Sequence, residues 1–259
     1  MRGVLKGRGR AAARPLLSAA ARPLAMAIVA TCVLVTAVQG VWLRHGMETG
    51  WVDTAVDAKV RAALGGHPAL LAVLVWPGGP VVVTAMAAAV VLACVLRRRY
   101  GAAAFVAISV PLAAAITELV LKPLIGRTSW GNPFPSGHVT SVAALATALA
   151  VLLARTPTRA PHALCLAVAG TAFLVTAAVA LGVIGANMHH LSDTVGGAAV
   201  GTGTVLLIAL VLDTLSQKWR RHHDRPLPAA MTQDRDTLPP SRDGGGYAYR
   251  RLSARSAPR

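Results

Sequence analysis

Apolar residues in this chain fall in long unbroken runs rather than at alternating or heptad positions. The runs cover about 24–43, 69–96, 101–121, 138–154, 162–186 and 194–213. A hydrocarbon core about 30 Å thick is crossed by roughly 20 helical residues. Six such runs predict an all-α polytopic membrane protein with six transmembrane helices. The first run is longer than the hydrophobic stretch of a signal peptide. It ends in Trp42-Leu43-Arg44-His45 without a small-residue cleavage site, so it is expected to be a retained helix. The second run carries Trp76-Pro77-Gly78-Gly79-Pro80 near its start, which predicts a break at the membrane interface rather than in mid-helix.

Between the first two runs the pattern changes. Val52, Val56, Val60 and Leu64 recur every fourth residue, with Asp53, Asp57, Lys59 and Arg61 on other faces. That spacing predicts an amphipathic helix lying on the membrane surface. In the last run, Gly197-x-x-x-Gly201 predicts a close helix contact.

Composition narrows the class. Only 14% of residues are charged against roughly 25% in soluble proteins, and mean hydropathy is +0.56. A soluble domain is excluded. The net charge of +16 would suggest nucleic acid in a soluble chain. Here the cations gather between the apolar runs, so the bilayer is the expected partner and nucleic acid is not. With six spans, the segments on the side of the termini hold 21 of the 26 Lys and Arg. The opposite side holds Arg44, Lys59, Arg61, Lys122 and Arg127. Positive charge marks the cytoplasmic side, which predicts cytoplasmic termini in a multi-pass cell-membrane protein. The expected organisation is a basic segment at 1–23, a six-span domain at 24–213 and a basic, disordered tail at 214–259. Cys32, Cys94 and Cys165 each lie inside an apolar run and read as small packing residues.

The polar residues that remain collect at the outer edges of the spans. Pro135-Ser136-Gly137-His138 opens the fourth run, His189-x-x-x-Asp193 precedes the sixth, and Lys122 and Arg127 end the third. Free N–H groups at a helix start bind anions. Gly137 allows close approach, Ser136 adds a hydroxyl, and Lys122 and Arg127 add charge. Asp193 lies one helical turn after His189 and can orient its ring, leaving the other nitrogen to attack. His138 then serves as general acid. These are the groups that phosphate-ester cleavage needs, and no metal or other cofactor is required. Three histidines and a carboxylate (His138, His189, His190, Asp193) also suit a metal, although Lys122 and Arg127 would repel one. Glu118, one turn before Lys122, is expected to form an ion pair with it rather than to act in catalysis. Asn187 and His190 are nearby polar candidates.

Lys122, Pro135-Ser136-Gly137-His138 and His189-x-x-x-Asp193 resemble the three signature motifs of the type 2 phosphatidic acid phosphatase (PAP2) superfamily. The resemblance extends over about 50–215. It implies a lipid phosphatase in which His189 becomes phosphohistidine, Asp193 orients it, His138 protonates the leaving group, and Lys122, Ser136 and Gly137 bind phosphate. Two family arginines are absent. Their positions fall at Ser129 and Val183, with Arg127 the local substitute for the first. The expected substrate is a lipid phosphomonoester or diphosphate, of the phosphatidic acid or isoprenyl diphosphate type, met at the outer face. A phosphoryl transferase to a lipid alcohol and a catalytically degenerate member are the alternatives.

Overall fold

The computed structural model describes residues 15–44, 50–126, 134–155 and 161–223. Arg127, a predicted phosphate ligand, lies outside them, as do Ser129, most of the basic N-terminal segment and the tail from 224. The described residues form helices and no strand: α1 (Arg22–Arg44), α2 (Trp51–Leu64), α3 (Pro68–Val75), α4 (Pro80–Leu96), α5 (Tyr100–Ala115), α6 (Lys122–Ile125), α7 (Gly137–Ala154), α8 (Pro161–Gly185) and α9 (Leu191–His223). Among the described residues, five helical stretches are long and apolar enough to cross a membrane. The count reaches six if α2 and the α3 stretch, which meet at a 118° bend, form one span. The all-α polytopic bundle expected from the runs is what forms.

The second run is not one helix. It divides into α3, a 3-10 turn at Trp76–Gly78 and α4, because Pro77 and Pro80 each remove a backbone donor. Along α3, Leu71 meets Gly185, Leu74 meets Gly182 and Gly78 meets Val179, so α3 runs antiparallel to α8. Within the break Gly78 is buried beside α8, while Trp76 and Pro80 are exposed.

The third run continues past its predicted end. After α5 the helix widens into a π turn, Ile116–Leu121, in which the Lys122 N–H reaches back to Thr117 O. Pro123 has no N–H to offer the regular ladder, which favours such a widening. The helix stops only at Gly126, whose φ of 62° is a left-handed conformation suited to glycine. Lys122 therefore stands within the helix and not in the polar segment after it. The last helix also extends beyond the predicted 213, to His223.

The core lies among α4, α5, α7, α8 and α9, centred on Phe105, Val106, Val139, Ala144, Val179, Val183 and Val205. α9 closes on α7 through Gly197 and Gly201. A Cβ on Gly197 would stand 2.6 Å from Ser136 O, and one on Gly201 would stand 2.9 Å from Ala144 N and strike Thr140 O. Only hydrogen fits there, as the small-residue spacing predicts. Cys32 is half-buried and packs against Gly203, and Cys94 is likewise a half-buried free thiol.

The amphipathic helix differs most from expectation. Asp53 and Asp57 are its buried residues, while Val52 is exposed and Val56, Val60 and Leu64 are only half-buried. The acidic face of α2 turns inward, toward the segment that leads into α9.

Before α1, Ser18 caps the helical turn Ala19–Ala21. Asp213 of α9 accepts the backbone N–H groups of Leu16 and Leu17 at 2.6 and 2.9 Å and approaches Arg22 at 3.6 Å. The start of the first span and the far part of the last therefore meet at one end of the bundle. The residues 136–138 and 189–193 meet at the other.

Candidate active site

Ser136 is the N-cap of α7, with extended backbone (φ −68°, ψ 114°) that leaves the first N–H groups of the helix free of helical partners. Its own N–H donates to Asp193 O at 3.0 Å. The two most informative segments of the sequence are thus joined directly, backbone to backbone, across 57 positions. A short polar ladder fixes the same corner. Thr117 Oγ1 donates to Thr140 Oγ1 at 3.2 Å, and Thr140 Oγ1 donates to Ser136 O at 2.9 Å. Both threonines are buried, so this ladder ties the π turn to the start of α7.

On that base the side chains converge. His189 and Asp193 are buried, with His189 Nδ1 3.4 Å from Asp193 Oδ2. Asp193 Oδ2 also accepts the His190 N–H at 3.0 Å, which fixes the carboxylate at the start of α9. His138 lies close enough to His189, Lys122 and Glu118 for all three to act on it electrostatically. Lys122 Nζ meets both oxygens of Glu118 at 2.7 Å, the ion pair expected from their spacing. A Cβ on Gly137 would strike Glu118 Oε1 and stand 3.9 Å from Lys122 Nζ, so the missing side chain of Gly137 admits both charged groups to the helix start.

Ser136 Oγ and His189 Nδ1 are buried without a hydrogen-bond partner among the described residues. Burying a hydroxyl unpaired costs about 1–3 kcal/mol. Such an orphan at a free helix N-terminus suits the oxygen of an anionic ligand.

Of the predicted site residues, the structure brings together Lys122, Ser136, Gly137, His138, His189 and Asp193. His190 does not join them. Its Nδ1 turns to Asp57 Oδ2 at 2.6 Å. Asn187 accepts from Arg61 Nη1. Among the described residues, no three His, Cys, Asp or Glu side chains gather as metal ligands would. Val183, where the family pattern has an arginine, is fully buried in the apolar core, so that position is used for packing.

Sequence reasoning missed Gly78. A Cβ there would stand 3.1 Å from His138 Cβ and 2.8 Å from Val179 Cγ1, so the Trp-Pro-Gly-Gly break forms the floor under His138. The glycine-proline cluster was visible, but nothing local announced a contact sixty residues away. It missed the polar ladder for the same reason, and it set Asp53 and Asp57 on faces apart from the valines without showing that they turn inward.

Beside these groups an apolar groove of about 480 Å³ runs between α1, the π turn with α6, and α9. Along α1 its wall extends from Val29 to Arg44, and Arg44 is the only charged residue among those that line it. Leu121, next to Lys122, shares the wall.

Residues 121–217 match the family model described as the PAP2 superfamily. No curated protein and no solved structure matches the chain.

Proposed function

We propose that this chain, whose residues 121–217 match the PAP2 superfamily model, is an integral membrane phosphatase of that family acting on a lipid phosphomonoester or diphosphate through a phosphohistidine at His189. The observation that carries this reading is the backbone bond from Ser136 to Asp193, which gathers a phosphate cradle and a His–Asp pair at one end of an apolar bundle.

The chemistry follows from the positions. Asp193 faces Nδ1 of His189, which leaves Nε2 to attack phosphorus. A P–N bond forms as the ester P–O bond breaks, and His138 gives its proton to the departing oxygen. Water then attacks the phosphohistidine, His138 takes a proton from that water, and phosphate and free His189 are released. Ser136 Oγ, the free N–H groups of α7 and Lys122 hold the nonbridging oxygens. Fixed donors aimed at developing charge supply much of such a rate enhancement. The mechanism involves no metal. Arg127 is assigned to phosphate binding on its position in the sequence alone.

The groove supports a lipid as the substrate. An acyl or prenyl chain fits its apolar wall, and Arg44 at its end suits an anionic headgroup. With the site at the outer face and the termini in the cytoplasm, the headgroup enters from the interface while the chain stays in the bilayer.

The test is phosphate release from phosphatidic acid and isoprenyl diphosphates by purified protein in EDTA, beside His189→Ala. Release that survives EDTA and disappears in the variant supports the reading. Equal release by the variant, or release abolished by EDTA, overturns the mechanism. Transfer of the phosphoryl group to an added lipid alcohol in place of water would identify a transferase.

A further inference from the structure

The inward acidic face of α2 has a specific target. Asp57 Oδ2 meets His190 Nδ1 at 2.6 Å, and Asp57 Oδ1 accepts the Leu191 N–H at 3.2 Å. One turn earlier, Asp53 Oδ1 accepts the Ser192 N–H at 2.9 Å, and Asp53 Oδ2 accepts the Ser192 hydroxyl at 2.7 Å. One turn later, Arg61 approaches Asp57 Oδ2 at 3.7 Å and donates to Asn187 Oδ1. Three successive turns of α2 therefore grip Asn187, His190, Leu191 and Ser192, on both sides of His189 and up to Asp193.

Both carboxylates are buried, at 7% and 1% exposure. A buried carboxylate is expensive unless its oxygens are satisfied, and every partner named here except Arg61 belongs to the segment 187–192. Leu191 and Ser192 open α9, where N–H groups lack helical partners. Two carboxylates at that end satisfy the donors and also oppose the positive end of the helix dipole. Capping the first turn of α9 holds Asp193, which lies in that turn, and His189, which immediately precedes His190. Asp57 also fixes the ring of His190, keeping a second imidazole away from the Asp193 carboxylate.

We propose that α2 is a positioning clamp: Asp53, Asp57 and Arg61 fix the 187–193 segment so that His189 and Asp193 stay aligned with His138. The functional half of this proposal rests on His189 being the nucleophile. These three residues touch no reacting atom, so they are positioning residues. Loosening them is expected to lower kcat while leaving KM unchanged.

The experiment uses the full chain in lipid nanodiscs, with Asp53→Ala, Asp57→Ala, Asp57→Asn and Ser192→Ala compared by hydrogen–deuterium exchange and by phosphate release. Asp57→Asn keeps an acceptor for Leu191 N–H but loses the charge toward His190 and Arg61. Ser192→Ala removes one hydrogen bond and leaves both carboxylates, so it serves where a larger change prevents folding. Faster exchange confined to the amides of 187–194 is expected in both alanine variants of the aspartates. A misplacement of about 1 Å costs on the order of 100-fold in rate. That loss of kcat is expected in Asp57→Ala, with partial recovery in Asp57→Asn. Unchanged exchange in 187–194 overturns the clamp. So does a loss that appears in KM alone, in a variant that unfolds at the wild-type temperature. If the wild type releases no phosphate, or His189→Ala releases as much, the phosphatase reading fails instead. Exchange then decides the clamp by itself.

Discussion

Lys122 is the cation that the described structure places at the helix start, and Glu118 holds it at both oxygens. A phosphate arriving there meets a lysine already paired and a carboxylate that repels it. Glu118→Gln should therefore strengthen phosphate binding. The Glu118 side chain is 49% exposed, and exposed pairs are worth roughly 0.2–1 kcal/mol. The inhibition constant for inorganic phosphate should fall by up to about five-fold, read from product inhibition of the purified enzyme. A higher constant would show that Glu118 instead holds Lys122 in its working position. This pair was legible in the sequence because residues four apart share a helix face. The crowding of Gly78 under His138 was not, because it depends on how two distant segments fold against each other.

Among the elements, α2 shows what sequence periodicity leaves open. Its valines and its aspartates both recur every fourth residue, so the spacing shows two faces without saying which is inside. In water the apolar face turns inward. Next to a bilayer the apolar face has a second outlet, and the polar face turns in when it has polar partners there. Asp53 and Asp57 have such partners in 187–192, which no local pattern of α2 reveals. The span runs were legible because sustained apolar length has few explanations. The division of the second run followed from its prolines, but the burial of Gly78 against α8 did not. That α9 makes a close helix contact was legible from two glycines, but that its partner is α7 was not. Gly201→Ala must push against the backbone of Thr140 and Ala144, which cannot yield as a flexible side chain would. Overpacking of this kind costs about 1–3 kcal/mol, so thermal unfolding in detergent should shift down. Gly170→Ala meets nothing within 4 Å and should leave the transition unmoved or raise it slightly. Equal shifts in both variants would contradict the close contact.

For the molecule as a whole, the described bundle has one end that holds the candidate site and another where Leu16 and Leu17 meet Asp213. From the positive-charge bias we propose that the second faces the cytoplasm. A Gly66→Cys variant, at an exposed position after α2 and in a background with Cys32, Cys94 and Cys165 replaced, should react with a membrane-impermeant maleimide in intact cells. A cysteine added after Arg259 should react only once the membrane is opened. The reverse pattern would invert the orientation and place the chemistry inside.

The contact of Asp213 with Leu16 and Leu17 also bears on the order of assembly. Its partners are separated by 197 and 196 positions. At synthesis rates of about 5–20 residues per second, the first segment emerges roughly 10–40 seconds before the carboxylate that secures it. The segment that leads into α1 is thus fastened only after α9 has been made, and a ribosome that stops short of Asp213 leaves the N–H groups of Leu16 and Leu17 without the carboxylate that accepts them.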